Sequence, residues 1–474
     1  MKNISVLLRL LKLLVVFSLV IILPFSVCAI VYHFAPDTYL ETYYAALPLK
    51  VDRIRETGAP RVIVIGGSSV AFGIDSKLVA QELDMPCVNF GLYAAFGLKP
   101  MLDLSEKYIK EGDIVVIAPE TTEQMYSEYC GYDYLLQAFE STPEQLIGLG
   151  RSYYAGLLKN LPDYLENAGK LRAQGGAPVA GVYSLAAFDE YGDIVYERPE
   201  NIMKQGYSED NLPELTDRIV TDEFISMVND YVKAAGRKGA KVVFSYCPLN
   251  ALSVEKTDPR VMRDFSQALE RGLNCPILAP LEDHILEEGF FYDSNYHLND
   301  TGTRYYSLRL VSNIQRLLGD VKKTSVNLPR APKFINENRV ISSGNENGVL
   351  YDITLNGCVI TGLDENGRAL HDLIIPETLA GVPVVSVSSG AFAFSQAENI
   401  VLPSTITYLS GSLFASAPQL KTVELYASDL PEVSDELFKD ANPDVILMVP
   451  GAIYGTYITD YFWGINASRM KPIE

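Results

Sequence analysis

The chain has 474 residues, of which 48% are hydrophobic and 21% charged, and its formal net charge at pH 7 is −20. This length predicts two or three domains, and the composition is that of packed globular structure with one membrane segment added. An acidic chain lacks the basic face that releases counterions from phosphates, so the charge disfavours a nucleic-acid partner.

Cysteine is used sparingly, and no CxxC pair or Cys/His cluster is present. The sequence therefore predicts no metal site and no iron–sulfur cluster. Such use fits a bacterial surface protein that is stabilised by its core rather than by disulfides. One disulfide among the last five cysteines is an alternative that the sequence leaves open. The cysteines are Cys28, Cys87, Cys130, Cys247, Cys275 and Cys358.

An uncharged apolar run, Leu13–Tyr32, is long enough to cross a bilayer as a helix. Lys2, Arg9 and Lys12 precede this run, and acidic residues follow it. The positive-inside rule then places the N-terminus in the cytoplasm and the rest of the chain outside. We predict a cytoplasmic tip and single-pass transmembrane anchor in residues 1–32.

A cleaved signal peptide is the alternative, because Val27 and Ala29 are small residues at a suitable cleavage position. The apolar run is long for a signal peptide, which favours the uncleaved anchor. Cys28 is a poor lipidation site because Val27 precedes it and Phe25 lies three residues before it. Both alternatives send the body of the protein outside the cell membrane.

Residues 33–60 are predicted to form a connector, and alternating strands and helices follow it. The strands are short continuous apolar runs, which favour a parallel sheet covered on both faces. Ser141–Pro213 has weak periodicity and is predicted to be an insertion that shapes a cleft. The predicted strands are Arg61–Ile65, Pro86–Phe90, Asp113–Ala118 and Lys241–Tyr246, and the predicted helices are Ser76–Leu83, Pro100–Lys110, Glu223–Ala235 and Thr303–Leu318.

The string VIVIGGSSVAFGID at Val62–Asp75 predicts a strand that breaks at two glycines and delivers Ser68 and Ser69 to a helix start. A serine hydroxyl there lies at the positive end of the helix dipole, where amides can hold an anion. Strand length favours Ser68 as the nucleophile, with Ser69 as the alternative. Taken alone, the string favours an ordinary turn and helix cap, because Gly-Gly-Ser-Ser is a weak signal.

The string FYDSNYHLNDTG at Phe291–Gly302 places Asp293 four residues before His297, ahead of the last predicted helix. Serine needs a base to take its proton, and an acidic residue can hold the base in the correct tautomer. If Asp293 points away, Asn295 or Asn299 could orient the imidazole, although helix capping is the favoured role for both. A structural histidine held by backbone is the alternative for His297.

The other histidines are weaker candidates for the base than His297. His33 abuts the apolar run, His371 lies in the C-terminal region, and His284, thirteen residues before His297, could be a surface residue. Glu120 follows a predicted strand and is expected either to face the cleft or to be solvated. The tyrosine-rich stretch 126–134 could stack on sugar rings, but core and rim packing explain it as well.

Three short blocks between Arg61 and Leu318 carry a resemblance. They are similar to the SGNH/GDSL hydrolase superfamily, and most similar to its membrane-anchored cell-envelope branch. The resemblance implies a three-layer α/β/α parallel sheet over residues 61–320, with catalytic Ser68, His297 and Asp293. It also implies that the Ser68 and Gly91 amides bind the oxyanion, with no cofactor. The blocks are Ile65-Gly66-Gly67-Ser68, Asn89-Phe90-Gly91, and Asp293 to His297 with Leu298-Asn299.

The chain departs from the family pattern at three places. Gly67 stands where an Asp is usual, and Ser294 stands at the usual position of the Asp, three residues before the His. Ala118-Pro119-Glu120 replaces Gly-x-Asn-Asp, so the Asn that donates to the oxyanion is missing. These departures favour the divergent envelope branch, which includes polymer-acylation proteins.

The C-terminal region follows a polar linker, residues 321–347. Asn356-Gly357 predicts a hairpin turn. Phenylalanines then recur at about the period of a leucine-rich repeat, in units that must stack to bury their apolar faces. The recurring residues are Phe392, Phe414 and Phe438.

The strings LIIPETLAGVPVVSVSSGAFAFSQAENIVLPSTITYLSGSLF and VPGAIYGTYITDYFWGINASRM resemble the BspA-type leucine-rich repeats of bacterial surface proteins. That resemblance covers residues 348–474 and implies adhesion or ligand binding.

The whole sequence predicts an extracytoplasmic serine esterase or acyltransferase acting on O-acyl groups, such as acetyl, of a cell-envelope glycan. The repeats would contact the polysaccharide or a surface protein. One alternative is a non-catalytic surface-binding protein with a degenerate hydrolase fold. The other is an accessory subunit of a membrane O-acyltransferase.

Overall fold

The computed structural model divides the chain into two compact units, Met1–Phe334 and Ile335–Glu474. Their boundary falls inside the predicted linker. The predicted anchor, Leu13–Tyr32, lies almost wholly outside the described residues, and none of the helices that the structure does describe is long and apolar enough to cross a membrane. The described residues are 12, 26, 30, 32, 37–173, 175–179, 181–319, 327–336, 339–433, 437–438, 441–460 and 463–474.

The first unit is mixed α/β and is built on a four-stranded parallel sheet with strand order β2-β1-β3-β4. All four predicted strands are confirmed, with ends that shift by at most two residues. Gly66, at the end of β1, lies beside Gly91 at the end of β2. The strands are β1 Val62–Gly66, β2 Cys87–Gly91, β3 Ile114–Ile117 and β4 Lys241–Phe244, and a separate parallel pair is β5 Leu249–Asn250 with β6 Ile285–Leu286.

Both faces of this sheet are buried. Ile63 and Ile65 of β1 pack into one apolar cluster, while Val62 and Val64 pack into another. Every residue of β1, β2 and β3 is buried. Burial on both faces explains why these strands are continuous apolar runs rather than alternating patterns.

The four predicted helices are confirmed, and the cap of one is as predicted: Asp75 accepts a hydrogen bond from the Leu78 amide at 2.9 Å. Part of the predicted connector also folds as a helix with a buried face. The helices are α1 Ala46–Glu56, α2 Ser68–Gly73, α3 Ser76–Leu83, α4 Leu98–Glu106, α5 Tyr132–Ala138, α6 Pro143–Gly148, α7 Arg151–Ala173, α8 Asp222–Arg237, α9 Ala251–Val254, α10 Pro259–Gly272 and α11 Asp300–Leu317.

The predicted insertion contains a 23-residue helix, α7, that the sequence analysis missed. Gly156, Pro162 and Gly169 lower its helix propensity and obscure the pattern. Its buried residues nevertheless recur every three or four positions, as expected for a helix that packs on one face. They are Tyr153, Leu157, Leu161, Tyr164 and Ala168.

The second unit contains a five-stranded parallel sheet and a seven-stranded mixed sheet. The predicted hairpin at Asn356-Gly357 is confirmed, since β8 and β9 pair antiparallel on either side of it. β7 adds an exposed strand within the predicted linker. The strands are β7 Ser342–Glu346, β8 Val349–Ile353, β9 Cys358–Leu363, β10 Asp372–Ile374, β11 Thr378–Leu379, β12 Val382–Val387, β13 Asn399–Leu402, β14 Tyr408–Leu409, β15 Thr422–Leu425, β16 Glu432–Val433, β17 Ile446–Pro450 and β18 Met470–Ile473, and the helices are α12 Glu365–Arg368 and α13 Tyr454–Thr459.

The three recurring phenylalanines form a ladder inside the second unit. The ring centroids of Phe392 and Phe414 are 6.0 Å apart, and those of Phe414 and Phe438 are 5.0 Å apart. Both pairs are nearly parallel, with interplanar angles of 23° and 19°. Successive units therefore stack, which buries Phe392 and Phe414 fully and Phe438 partly.

The prediction that His284 is a surface residue is wrong, because it is 4% exposed. Its Nδ1 lies 3.2 Å from the Tyr306 hydroxyl, and its Nε2 is buried with no partner among the described residues. Burial lowers the pKa of His284 to about 4. The folded chain therefore holds this imidazole neutral at a pH where the unfolded chain would protonate it.

This burial makes stability depend on pH. The unfolded chain binds the extra proton first, so stability is fully present above about pH 6.5 and is lost as the pH falls towards 4. We expect His284 to lower the free energy of unfolding by about 2 kcal/mol between pH 7 and pH 5. Denaturant titrations at both pH values should show that His284→Gln reduces this difference, whereas His371→Gln, at an exposed position, leaves it unchanged. An equal pH dependence in wild type and His284→Gln would contradict the prediction.

Candidate active site

The nucleophile candidate lies where the sequence places it, at the start of α2 directly after β1 and Gly67. Ser68 is 9% exposed, whereas Ser69 is fully buried. Phe72 is one helical turn further on, so its side chain lies on the same face of α2 as that of Ser68. The helix start therefore presents a hydroxyl and an aromatic ring together.

Asp293 and His297 lie in a tight loop that ends three residues before α11 begins. An antiparallel bridge pairs Phe291 with Leu298, and the Tyr292 amide donates to the His297 carbonyl oxygen at 2.9 Å. The closed loop turns the two side chains towards each other without a helix. This geometry explains how an Asp four residues before the His can face it.

Ser68, His297 and Asp293 form one hydrogen-bonded chain. The Ser68 Oγ lies 2.8 Å from His297 Nε2, and His297 Nδ1 lies 2.8 Å from Asp293 Oδ1. An ionised carboxylate only accepts, so Nδ1 carries the imidazole proton and Nε2 accepts from the Ser68 hydroxyl. Burial raises the pKa of Asp293, but hydrogen bonds from His297 and Tyr183 outweigh it and hold that pKa below its usual value.

The imidazole packs face to face on an aromatic ring. The centroids of Phe72 and His297 are 4.0 Å apart and their planes differ by 6°. The guanidinium carbon of Arg198 lies 5.2 Å from the Phe72 centroid, and Arg198 also pairs with Asp300 at the start of α11. Phe72 and the closed loop together restrict rotation of the imidazole.

The alternative catalytic candidates, Ser69, Asn295 and Asn299, do not hydrogen-bond to the imidazole of His297. The Ser69 Oγ is buried and has no hydrogen-bond partner within the described residues. Asn299 caps α11 by accepting from the Gly302 amide at 2.9 Å, as favoured. The favoured capping role of Asn295 is wrong, because its side chain binds the insertion at Ser208 and Asn211 instead. These asparagines hold neighbouring backbone rather than the imidazole.

Glu120 faces the nucleophile and is 2% exposed. Its carboxylate accepts from the Ser69 amide at 2.6 Å and from the Gly67 amide at 3.1 Å, and it lies 3.4 Å from Ser68 Oγ. A Cβ added at Gly67 would be 2.5 Å from Glu120 Oε2. The two departures from the family pattern are therefore linked, because the carboxylate of Glu120 fills the space that a side chain at residue 67 would need.

Gly91 lies against the nucleophile turn, since a Cβ added there would be 2.7 Å from the Gly67 carbonyl oxygen. The Gly91 amide donates to Asn89 Oδ1 at 3.2 Å. The oxyanion role of the Gly91 amide stays a prediction. In that role the amide must donate to the oxyanion in place of Asn89 Oδ1, or to both acceptors at once. The Ser68 amide lies at the helix start, as expected of the second donor.

Two buried ionisable residues, Lys50 and Asp193, support β2 behind this glycine. Lys50, on α1, donates to the Asn89 carbonyl oxygen at 3.1 Å and to the Gly192 carbonyl oxygen at 2.6 Å. Asp193 accepts from Asn89 Nδ2 at 3.1 Å and from Ser76. Burial lowers the pKa of Lys50 and raises that of Asp193. The predicted connector and the insertion thus both position the site.

Four contributors to the site were missed by the sequence analysis: Lys50, Phe72, Tyr183 and Arg198. Phe72 had a usable signal, because it stands four residues after Ser68 on a predicted helix. Tyr183 and Arg198 lie in the aperiodic insertion, and Lys50 lies in a segment predicted as a connector. Only long-range packing brings these three residues to the site.

The tyrosine-rich stretch separates into core and rim. Tyr126 is buried and stacks on Phe224 with centroids 4.3 Å apart, so it belongs to the core. Tyr134 is half-buried and lies 5.4 Å from Tyr93 and 5.5 Å from Tyr44, measured between ring centroids. Tyr93 follows Gly91 by two residues, so this aromatic cluster adjoins the end of β2.

Within the part of the chain that the structure describes, no group of three or more His, Cys, Asp or Glu residues could hold a metal ion. The chain matches no family model. It also has no significant match among curated proteins.

Proposed function

We propose that this chain is an extracytoplasmic serine esterase or acyltransferase that acts on O-acyl groups of a cell-envelope glycan. The hydrogen-bonded chain from Ser68 through His297 to Asp293, with its two 2.8 Å links, carries this proposal. We further propose that the parallel sheet is the three-layer core of an SGNH-like domain, as the resemblance implies.

In the proposed reaction, Ser68 Oγ attacks the acyl carbonyl carbon while His297 Nε2 takes the hydroxyl proton. The Ser68 and Gly91 amides hold the negative oxygen of the tetrahedral intermediate. The ester C–O bond then breaks, and His297 returns the proton to the leaving sugar hydroxyl. Water completes hydrolysis of the acyl-enzyme, or a second sugar hydroxyl completes transfer.

Two features support a glycan substrate at the membrane surface. The cluster of Tyr44, Tyr93 and Tyr134 offers half-buried aromatic rings beside the end of β2, and such rings can stack on sugars. The apolar run Leu13–Tyr32 supports an anchor that keeps the enzyme at the envelope. We propose that the stacked units of residues 348–474 form a BspA-type leucine-rich repeat domain that binds the polymer or a surface protein.

A non-catalytic binding protein is the second candidate. Two observations favour it: the Gly91 amide is bonded to Asn89, and the carboxylate of Glu120 lies beside the nucleophile. An anion at this position opposes the negative charge of a tetrahedral intermediate. In that case the repeats would do the binding, and the hydrolase-like unit would be degenerate.

A fluorophosphonate probe separates the two candidates, because it reacts covalently with an activated serine. We expect the full chain to form one adduct at Ser68, located by peptide mass spectrometry. The adduct should be absent from Ser68→Ala and retained by Ser69→Ala, and heat-denatured chain should not react. Failure of the native chain to react, under conditions that label a known serine esterase, would reject the proposed enzyme and support the binding protein.

A further inference from the structure

Tyr183 is placed to act on the acid of the site. Its hydroxyl donates to Asp293 Oδ2 at 2.6 Å, while Oδ1 of the same carboxylate accepts from His297 Nδ1 at 2.8 Å. Each oxygen of Asp293 therefore has its own donor. The Tyr183 hydroxyl also lies 3.4 Å from His297 Nδ1, so it approaches the junction of the two side chains.

The ring of Tyr183 is held by other parts of the unit. Its centroid lies 5.8 Å from Tyr43 and 6.2 Å from Phe72, and Phe72 is the ring that stacks on His297. The next residue, Ser184, forms an antiparallel bridge with Thr42. The Leu185 amide donates to the Glu41 carbonyl oxygen at 2.9 Å. The hydroxyl is thus aimed by backbone pairing and ring packing, although 45% of the residue is exposed.

We propose that Tyr183 is a positioning residue, whose hydroxyl fixes the carboxylate of Asp293 so that Oδ1 faces His297. This role rests on the proposed function for its catalytic consequence. An aspartate side chain has two rotatable bonds, so a single hydrogen bond to His297 still allows the carboxylate to rotate. A second, charge-assisted bond to Oδ2 removes that freedom and keeps the carboxylate ionised.

The insertion therefore contributes to the site itself. Without Tyr183, the Asp four residues before the His would depend on the loop from Phe291 to Leu298 alone for its orientation. The chain lacks an Asp at residue 294, the usual position in the family it resembles. A donor from the insertion compensates for this displaced acid.

The test compares Tyr183→Phe with Tyr164→Phe in the full chain, using 4-nitrophenyl acetate as the probe. Tyr164 is a matched control within the same insertion, because its hydroxyl also donates to a carboxylate, Glu140 Oε1, at 2.5 Å. We expect Tyr183→Phe to lower kcat by about tenfold with KM unchanged, since a hydrogen bond to a charged group is lost. Tyr164→Phe should leave kcat unchanged.

A double-mutant cycle distinguishes positioning from general packing. In an Asp293→Asn background, Tyr183→Phe should change kcat by less than about twofold, because the residue that it positions is already altered. Equal losses in both backgrounds, or no loss in wild type, would overturn the proposal.

A spectroscopic readout tests the positioning role without any turnover. With ¹⁵N-labelled histidine, the low-field Nδ1–H resonance of His297 is assigned by its disappearance in His297→Gln. Tyr183→Phe should shift this resonance, and Tyr164→Phe should not. An unshifted resonance overturns the positioning role, whereas lack of hydrolysis by wild type with a shifted resonance overturns only the proposed function.

Discussion

Ser68→Ala is expected to lower the rate of 4-nitrophenyl acetate hydrolysis by about 10⁴-fold or more. The hydroxyl lies 2.8 Å from His297 Nε2, and it is the only hydroxyl that the structure places on that nitrogen within the described residues. Alanine removes the attacking atom and leaves the base with nothing to deprotonate. The initial rate, followed as release of 4-nitrophenolate by the purified full chain, is the measurement.

Ser69→Ala is the matched control, since it is an identical substitution one residue along α2. The Ser69 hydroxyl is buried without a hydrogen-bond partner among the described residues, so its removal should not disturb the turn. We expect Ser69→Ala to keep the rate within about twofold of wild type and to fold with equal stability. A loss in Ser69→Ala with a retained rate in Ser68→Ala would assign the nucleophile to Ser69.

The sequence predicts those parts of the site that depend on neighbours along the chain. β1 ends at two glycines and starts α2, so the string around Ser68 specifies its own geometry. The loop that carries Asp293 and His297 is likewise local, because one bridge between Phe291 and Leu298 closes it. Apolar runs of four or five residues were enough to predict the four parallel strands.

The sequence could not predict contacts between segments that lie far apart along the chain. Lys50 reaches Asn89 and Gly192, and Tyr183 reaches Asp293 across 110 positions of the chain. No periodicity marks a residue for such a contact, and helix α7 in the same insertion was hidden by two glycines and a proline. The chemical roles of these residues therefore follow only from the fold.

Glu120 is a third case. The sequence shows that this segment differs from the hydrolase pattern it resembles, but it does not show what the difference does to the site. The missing Gly-x-Asn-Asp block and the glycine at residue 67 were visible as separate irregularities. The structure joins them, because the carboxylate of Glu120 bonds both amides that flank Ser68. A carboxylate at a helix start also interacts favourably with the helix dipole. Glu120 thus holds the turn that carries the nucleophile.

Glu120→Ala is therefore expected to lower the free energy of unfolding by about 2–5 kcal/mol, because two buried amides lose their acceptor. Ser68 should also lose its position, and hydrolysis should fall by about 10²-fold or more. Glu120→Gln should lie between alanine and wild type in stability. Its amide oxygen can still accept from Ser69, but its NH₂ group would face the Gly67 donor. Denaturant unfolding, fitted to a two-state transition of the first unit, measures these differences.

Gly67→Ala supplies the control that ties this effect to the carboxylate. With Glu120 present, the added Cβ would lie 2.5 Å from Glu120 Oε2. The glutamate side chain cannot move away without breaking its hydrogen bonds to the Gly67 and Ser69 amides. Gly67→Ala should therefore destabilise the wild-type chain clearly but cost little more in the Glu120→Ala background, because the clash is then absent. Additive losses would show that residue 67 must be glycine for a backbone reason and not because Glu120 fills the space beside it.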